Sequence, residues 1–154
     1  MNKRVRMKEL YPVMQEALSN GAQVCITVTG TSMQPMLHSQ KDTAVLEKPP
    51  ARLKKYDLVL YRRTNGAFVL HRVVAVTQNG YLMCGDNQTV VEHGITDANI
   101  IAVVKSFTRN GKEYTVENRL YRLYSRVWTN TRVIRRLYRG GKRRILACLR
   151  RLLY

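Results

Sequence analysis

Three Asn-Gly pairs separate short apolar segments in the middle of the chain. They lie at residues 65–66, 79–80 and 110–111. Asn and Gly both tolerate a positive φ, which the tight turns of β-hairpins require. The segments beside them alternate apolar and polar residues, and this period of two is typical of strands. The sequence therefore predicts a mainly β core of antiparallel strands.

Seven strands are expected between residues 23 and 117. The first begins at Gln23 and runs into a turn that contains Gly30, Thr31 and Ser32. The other six are expected at 43–47, 57–62, 68–77, 81–84, 100–107 and 113–116. Apolar residues at helical spacing between 3 and 19 predict a short amphipathic helix ahead of them. The chain divides into an N-terminal helix over 1–20, a β domain over 21–117 and a tail over 118–154.

Basic residues are distributed very unevenly along this chain of 154 residues, whose formal net charge is +17 at pH 7. Residues 1–117 carry 15 Lys and Arg against 10 Asp and Glu, whereas residues 118–154 carry 12 basic residues and no acidic one. The basic character therefore belongs to the tail. The length favours one domain with an appendage over two full domains.

The tail alternates large apolar residues with arginines. Apolar side chains recur every three or four residues from Leu120 to Tyr138. The pattern is interrupted by Gly140 and Gly141 and resumes over 142–154. This spacing predicts a pair of basic amphipathic helices. Such helices bind anionic membrane surfaces, which we expect to be the partner of the tail. Nucleic acid is the second alternative, because its phosphates would attract the same arginines. A groove on a partner protein and a simply solvated face are the remaining alternatives.

No stretch of the sequence has the roughly 18 to 20 predominantly apolar residues that span a bilayer. The first residues also lack the apolar run of a signal peptide. We therefore expect a peripheral membrane protein on the cytoplasmic side, or a cytoplasmic protein if the tail is not a membrane anchor.

The three cysteines, Cys25, Cys84 and Cys148, are scattered and form no Cys-x-x-Cys pair. This spacing argues against a zinc site and against a disulfide framework. We expect three separate thiols in a reducing compartment, with no metal and no cofactor.

Ser32 is the first candidate for chemistry, because it lies on the Gly-containing turn that follows the first strand. A serine hydroxyl becomes a useful nucleophile only when a base removes its proton and backbone N–H groups await the developing oxyanion. A tight turn can supply both exposure and donors. Ser32 could equally be an ordinary turn residue, since Gly, Thr and Ser are common in loops.

Three histidines compete for the role of base. His38 and His93 are expected in polar loops, where a histidine is usually solvated. His71 instead shares one face of its strand with Val69 and Val73. This position predicts a partly desolvated, sterically fixed imidazole, as a general base requires. A core histidine with a satisfied ring is the alternative.

Five motifs resemble, in order, those of type I signal peptidases and the related repressor peptidases. They are residues 30–37 (GTSMQPML), 41–42 (KD), 56–59 (YDLV), 70–74 (LHRVV) and 85–87 (GDN). The resemblance extends over roughly residues 23–105. The form His-Arg-Val-Val is similar to the endoplasmic-reticulum and archaeal branch, in which the base is histidine. The common bacterial branch has lysine there, and this motif contains no lysine.

The resemblance implies a signal-peptidase-like antiparallel β-barrel or sandwich as the catalytic domain. It implies that Ser32 is the nucleophile and that His71 is the base that later protonates the leaving amine. Asp86 of the Gly-Asp-Asn motif or Glu92 would orient the imidazole, and the choice between them stays open. The turn residues that would bind the oxyanion or the substrate, besides Ser32 itself, are Gly30, Thr31, Met33 and Pro35.

The expected function is that of a serine endopeptidase that cleaves signal-peptide or leader-peptide segments. Cleavage after small residues is implied by the resemblance. Two other functions stay open. One is a repressor-type β domain that binds nucleic acid through its basic tail, and the other is an inactive scaffold that only holds a peptide.

Overall fold

Eight strands form one antiparallel sheet in the computed structural model, which describes residues 7–138. The strands are β1 Val24–Thr27, β2 Thr43–Glu47, β3 Leu58–Arg62, β4 Phe68–Thr77, β5 Gly80–Cys84, β6 Glu92–Ile95, β7 Ile100–Arg109 and β8 Lys112–Thr115. Their order across the sheet is β1, β2, β7, β3, β4, β5, β6, and β8 pairs with the far end of β7. The prediction of a mainly β, antiparallel core is confirmed.

The three Asn-Gly pairs lie at the turns of three hairpins, as predicted. The pairs 65–66 and 110–111 lie between β3 and β4 and between β7 and β8, and Asn79 lies between β4 and β5, which begins at Gly80. Asn110 and Gly111 both have positive φ, at 51° and 76°. This is the left-handed conformation that a tight hairpin turn requires.

The sheet is open within the part of the chain that the structure describes. There β1 pairs only with β2, and β6 pairs only with β5, so the two outer strands do not meet. The barrel expected from the resemblance is therefore wrong as a closed structure. Closure depends on whether the outermost strands pair with each other, and the alternation of residues along each strand carries no information about that.

Strand β6 was not predicted, and Glu92 and His93 are in it rather than in a loop. The strand has four residues, only Ile95 is buried, and Gly94 has a positive φ. A segment this short and exposed has none of the apolar alternation by which strands are recognised. It pairs with β5, with Met83 opposite Glu92.

Two apolar clusters cover the two faces of the sheet. Along β3, Leu58 and Leu60 belong to one cluster, and Val59 and Tyr61 belong to the other. The helix α1, Met7–Ser19, closes the first cluster with Met14 and Leu18. Residues 3–6 of the predicted helix lie outside the described residues.

A second helix, α2, spans Arg119–Asn130 and packs on the same face as α1. The Asn118 side chain begins it by accepting hydrogen bonds from the backbone N–H groups of Leu120 and Tyr121. The helix ends at Thr131, where the hydroxyl donates to the carbonyl of Val127, and a separate helical segment covers 132–138. The predicted helix was continuous to the Gly-Gly pair, whereas the structure interrupts it at Thr131, where a side-chain bond to the backbone of this kind often bends a helix.

The second predicted tail helix, over 142–154, lies outside the described residues. Within residues 7–138, no helix is both long and apolar enough to cross a bilayer.

Candidate active site

The turn that carries Ser32 is fixed by the loop after β5. The backbone N–H of Asn87 donates to the carbonyl of Ser32 at 2.8 Å, and its side-chain amide donates to the carbonyl of Thr31 at 3.2 Å. Gly30, with φ of +78°, supplies the left-handed residue with which the turn begins. The Ser32 side chain is half-buried. The loop after β5, which is distant in sequence, therefore holds the main chain of the serine turn in place.

His71 lies on β4 and is only 1% exposed. Its Nδ1 atom lies 3.2 Å from Oε1 of Glu92 and 3.1 Å from the Tyr61 hydroxyl. An ionised carboxylate can only accept hydrogen bonds, so Nδ1 carries the proton of the neutral ring. The Nε2 atom then keeps its lone pair and is the proton acceptor.

Gly85 lies where the imidazole and the serine turn meet. A Cβ atom on this residue would be 2.6 Å from the carbonyl oxygen of Ser32 and 3.0 Å from Nε2 of His71. Both atoms therefore lie within 3.0 Å of one point beside the backbone of Gly85. The absence of a side chain at residue 85 permits this approach.

Glu92 is held by Arg63 in addition to His71. The Nε atom of Arg63 donates to Oε2 at 2.7 Å, and the Nη2 atom of Arg63 pairs with Oε1. Burial acts to raise the pKa of Glu92, but the hydrogen bonds from Arg63 and Tyr61 outweigh it and lower the pKa overall. The carboxylate beside His71 is therefore ionised well into the acidic range.

Asp86, the other acid considered for His71, pairs with Arg72 instead. The guanidinium Nε and Nη2 atoms donate to its two carboxylate oxygens at 2.9 and 2.8 Å, and both side chains are buried. Burial alone would lower the pKa of Arg72, but the Asp86 carboxylate more than offsets this and raises it. Of the two candidate acids, Glu92 is the one in contact with the imidazole.

Helix α2 packs directly against this buried ion pair. Tyr121 and Ser125 each accept a hydrogen bond from Nη1 of Arg72, at 3.0 and 2.9 Å. The indole N–H of Trp128 donates to the backbone carbonyl of Asp86 at 2.9 Å. The first part of the predicted tail is therefore built into the domain, and it supports the loop that contacts Ser32.

Burial lowers the pKa of His71 to about 4, against an ordinary value of 6.5. The neighbouring Glu92 carboxylate opposes this shift, and the loss of solvent prevails. The imidazole is therefore neutral at pH 7 and able to accept a proton.

A cavity of about 280 Å³ opens beside these residues. It is lined by Ser32 and His71, by residues 26–29 at the end of β1, and by residues 68–70 of β4. β4 pairs with β5 only from Arg72 onward, so residues 68–71 have no strand partner on that side within 7–138. The cavity is thus a groove between β1, which pairs only with β2, and a stretch of β4 that pairs only with β3 within residues 7–138.

The remaining turn residues differ in their surroundings. Gly30, Thr31 and Pro35 are exposed, and the Met33 side chain is buried in the first apolar cluster. Among the other histidines, His93 is exposed on β6 and His38 lies 3.4 Å from Asp42, away from the groove. Asp42 is itself buried, and it accepts a bond from the backbone of His38.

Four contributors to the site were not identified as site residues in the sequence: Tyr61, Arg63, Gly85 and Asn87. Gly85 and Asn87 belong to the Gly-Asp-Asn motif, so the sequence contained a signal for them. Tyr61 and Arg63 carry no such signal. Their role depends on the pairing of β3 with β4, which sets Tyr61 opposite Val69.

Within residues 7–138, no group of three or more His, Cys, Asp or Glu side chains is arranged to hold a metal ion. Cys25 is an exposed free thiol and Cys84 a buried one, whereas Cys148 lies outside the described residues.

No family model matches this chain, and no curated protein or solved structure is a significant match to it.

Proposed function

We propose that this protein is a serine endopeptidase in which Ser32 is the nucleophile and His71 the general base. One observation carries the proposal. The imidazole is held at Nδ1 by an ionised carboxylate, and its Nε2 and the carbonyl of Ser32 both lie beside the backbone of Gly85. This is the order of groups by which a carboxylate, a histidine and a serine perform acyl transfer.

The Ser32 hydroxyl forms no hydrogen bond with any other residue between 7 and 138. It is therefore not committed to another partner there, and it is not hydrogen-bonded to Nε2 of His71 before substrate binds. Catalytic hydrogen bonds are often long before substrate binds and tighten in the complex.

The reaction follows from these positions. Nε2 of His71 takes the hydroxyl proton as Oγ of Ser32 attacks the carbonyl carbon of the scissile peptide bond. The Glu92 carboxylate stabilises the imidazolium that forms. The tetrahedral intermediate then collapses, the C–N bond breaks, and the proton passes from Nε2 to the leaving amine. Water, deprotonated by the same imidazole, hydrolyses the acyl-enzyme and restores Ser32.

The developing oxyanion requires backbone donors. The N–H group of Ser32 donates no hydrogen bond to another residue in the described chain, and it lies on the turn that carries the nucleophile. It is therefore available as a donor to the oxyanion.

The groove supports an extended substrate. A peptide that lies between the end of β1 and residues 68–71 of β4 would form main-chain hydrogen bonds to the side of each strand that has no partner strand within residues 7–138. The small volume of the cavity favours short side chains beside the scissile bond. A signal-peptide or leader-peptide segment meets these requirements, in agreement with what the motifs imply.

The test is the hydrolysis of a peptide library, followed by mass spectrometry, with the wild-type protein and three variants. Ser32→Ala and His71→Ala should each reduce turnover by at least about 10 000-fold, because each removes a group that acts in the bond-breaking step. Ser39→Ala, in the same loop, is the matched control and should cleave like the wild type. Circular dichroism should show that all three variants are folded.

Cleavage by Ser32→Ala at the wild-type rate would refute the proposal. A wild-type protein that binds peptides of the library but cleaves none of them would identify a peptide-binding scaffold instead.

A further inference from the structure

We propose that the outer face of helix α2 binds the surface of an anionic lipid bilayer. The outer face comprises an apolar stripe, Leu120, Leu123 and Val127, and an arginine stripe, Arg119, Arg122 and Arg126. The proposal concerns where the protein binds and does not depend on its catalytic activity.

The helical repeat divides α2 into three stripes. At 3.6 residues per turn, Tyr121, Ser125 and Thr129 lie together, and these three side chains are buried against the domain. The apolar stripe lies on the opposite side, and Leu120, Leu123 and Val127 are 77%, 59% and 53% exposed. The side of the helix that faces away from the domain is thus partly apolar.

The arginine stripe lies between the buried and the apolar stripes. All three arginines are exposed, and residues 118–154 contain no acidic side chain that could neutralise them. The outer face therefore has arginine side chains along one side of the apolar stripe. This pattern is typical of helices that lie in a membrane interface.

The exposed apolar side chains are concentrated in this part of the protein. Within residues 7–138, seven of the ten large apolar side chains that are exposed lie between 120 and 138. Those beyond α2 belong to the segment 132–138 and are Val133, Ile134, Leu137 and Tyr138. Single exposed apolar residues are common on protein surfaces, whereas a cluster of this kind marks a contact surface.

The combination of the two stripes favours lipid over nucleic acid. Phosphates of either would attract the arginines. Nucleic-acid phosphates, however, would not remove the exposed leucine and valine side chains from water. An anionic bilayer accepts both, because its headgroups neutralise the arginines and its acyl boundary receives the apolar stripe.

The buried stripe fixes the orientation of this surface relative to the candidate active site. Tyr121 and Ser125 bind Arg72, whose partner Asp86 lies between Gly85 and Asn87. Helix α2 is consequently attached through its buried stripe to the loop that supports Ser32, and its lipid-facing side points away from the domain.

Cosedimentation of the full chain with phosphatidylcholine vesicles, with and without phosphatidylglycerol, tests the proposal. Wild-type protein should bind the anionic vesicles and not the neutral ones, with an affinity that falls as salt rises. Leu120→Gln/Leu123→Gln/Val127→Gln and Arg119→Gln/Arg122→Gln/Arg126→Gln should each weaken binding by at least about tenfold. Val13→Gln, at an exposed valine of α1, is the matched control and should bind like the wild type.

Equal binding to both vesicle types, or unchanged binding by both triple variants, would overturn the proposal. So would tighter binding to duplex DNA at physiological salt that only the arginine variant loses, which would identify a nucleic-acid surface. A dimer in sedimentation velocity that the apolar variant abolishes would identify a second copy of the chain as the occupant. Ser32→Ala should bind vesicles like the wild type, so a failed peptidase assay and a failed lipid assay are distinguishable.

Discussion

The Nδ1 atom of His71 lies 3.2 Å from Oε1 of Glu92, and the same carboxylate is held from its other side by Arg63. A histidine on β4 is thereby fixed by a carboxylate on β6, two strands away in the sheet. Its other ring nitrogen lies beside Gly85, whose backbone also lies close to the carbonyl of Ser32.

Glu92→Gln should reduce kcat by about 100-fold to 10 000-fold. The amide cannot stabilise the imidazolium as a carboxylate does, and it no longer fixes the tautomer with the proton on Nδ1. Rates of peptide hydrolysis for the variant and the wild type provide the measurement. Glu117→Gln, at an exposed glutamate outside the site, is the control and should retain full activity. Full activity in Glu92→Gln would remove this residue from the mechanism.

The pH dependence of kcat/KM should report the low pKa of His71. Burial holds this pKa at about 4, so the base is free of its proton above that value. We expect kcat/KM to fall only as the pH drops through about 4, whereas a solvated histidine would lose activity below its ordinary 6.5. An acid limb near 6.5 would contradict the burial of the imidazole.

The same shift makes the folded state less stable in mild acid. Between pH 6.5 and about 4 the unfolded chain binds a proton at His71 that the folded chain does not, so the free energy of unfolding falls as the pH is lowered. The loss should reach about 3 kcal/mol by the end of this window. Urea unfolding of the wild type and of His71→Ala at several pH values measures it. An equal slope in both proteins would assign the effect to other groups.

Gly85→Ala should disrupt the site by steric contact. The new methyl group would meet the Ser32 carbonyl and the imidazole, and the contact with rigid backbone cannot be relieved without moving the turn. We expect a loss of stability of about 1–3 kcal/mol and a loss of activity well beyond what that instability explains. Gly111→Ala, which strains a distant hairpin turn but meets no neighbouring atom, should cost about 1–2 kcal/mol and retain activity. Similar activity in the two variants would contradict the close approach at Gly85.

Arg72→Met should destabilise the protein by about 3–5 kcal/mol, because it leaves the Asp86 carboxylate buried without its partner. The double variant Arg72→Met/Asp86→Leu removes both charges and should recover much of the loss. Chemical unfolding of the two single variants and the double variant gives the coupling energy. Additive losses would show that the two side chains are energetically independent.

The strands could be predicted from the sequence where their alternation was strong. β2 and β4 have the predicted bounds, 43–47 and 68–77. The assignment of Val69 and Val73 to one face of β4 and Leu70 to the other is also confirmed, since they pack in different clusters. In these strands the burial of apolar side chains determines which residues lie on each face of the sheet. The local pattern and the tertiary structure therefore agree.

The environment of the acids could not be predicted, because it depends on contacts between distant segments. Asp86 and Glu92 were both candidates to orient His71, but a buried arginine next to that histidine pairs with the Asp86 carboxylate. Glu92 reaches the imidazole only because residues 92–95 form a strand with no periodic signal of their own. The open edges of the sheet likewise result from tertiary pairing.

The most direct test of the central claim is the detection of an acyl-enzyme on Ser32. Wild-type protein is mixed with the peptide library, quenched with acid and digested, and the fragment that contains residue 32 is analysed by mass spectrometry. The account predicts a peptide adduct on Ser32 that accumulates before turnover and is absent from Ser32→Ala and His71→Ala. An adduct on a different residue, or peptide hydrolysis that continues in Ser32→Ala, would contradict it.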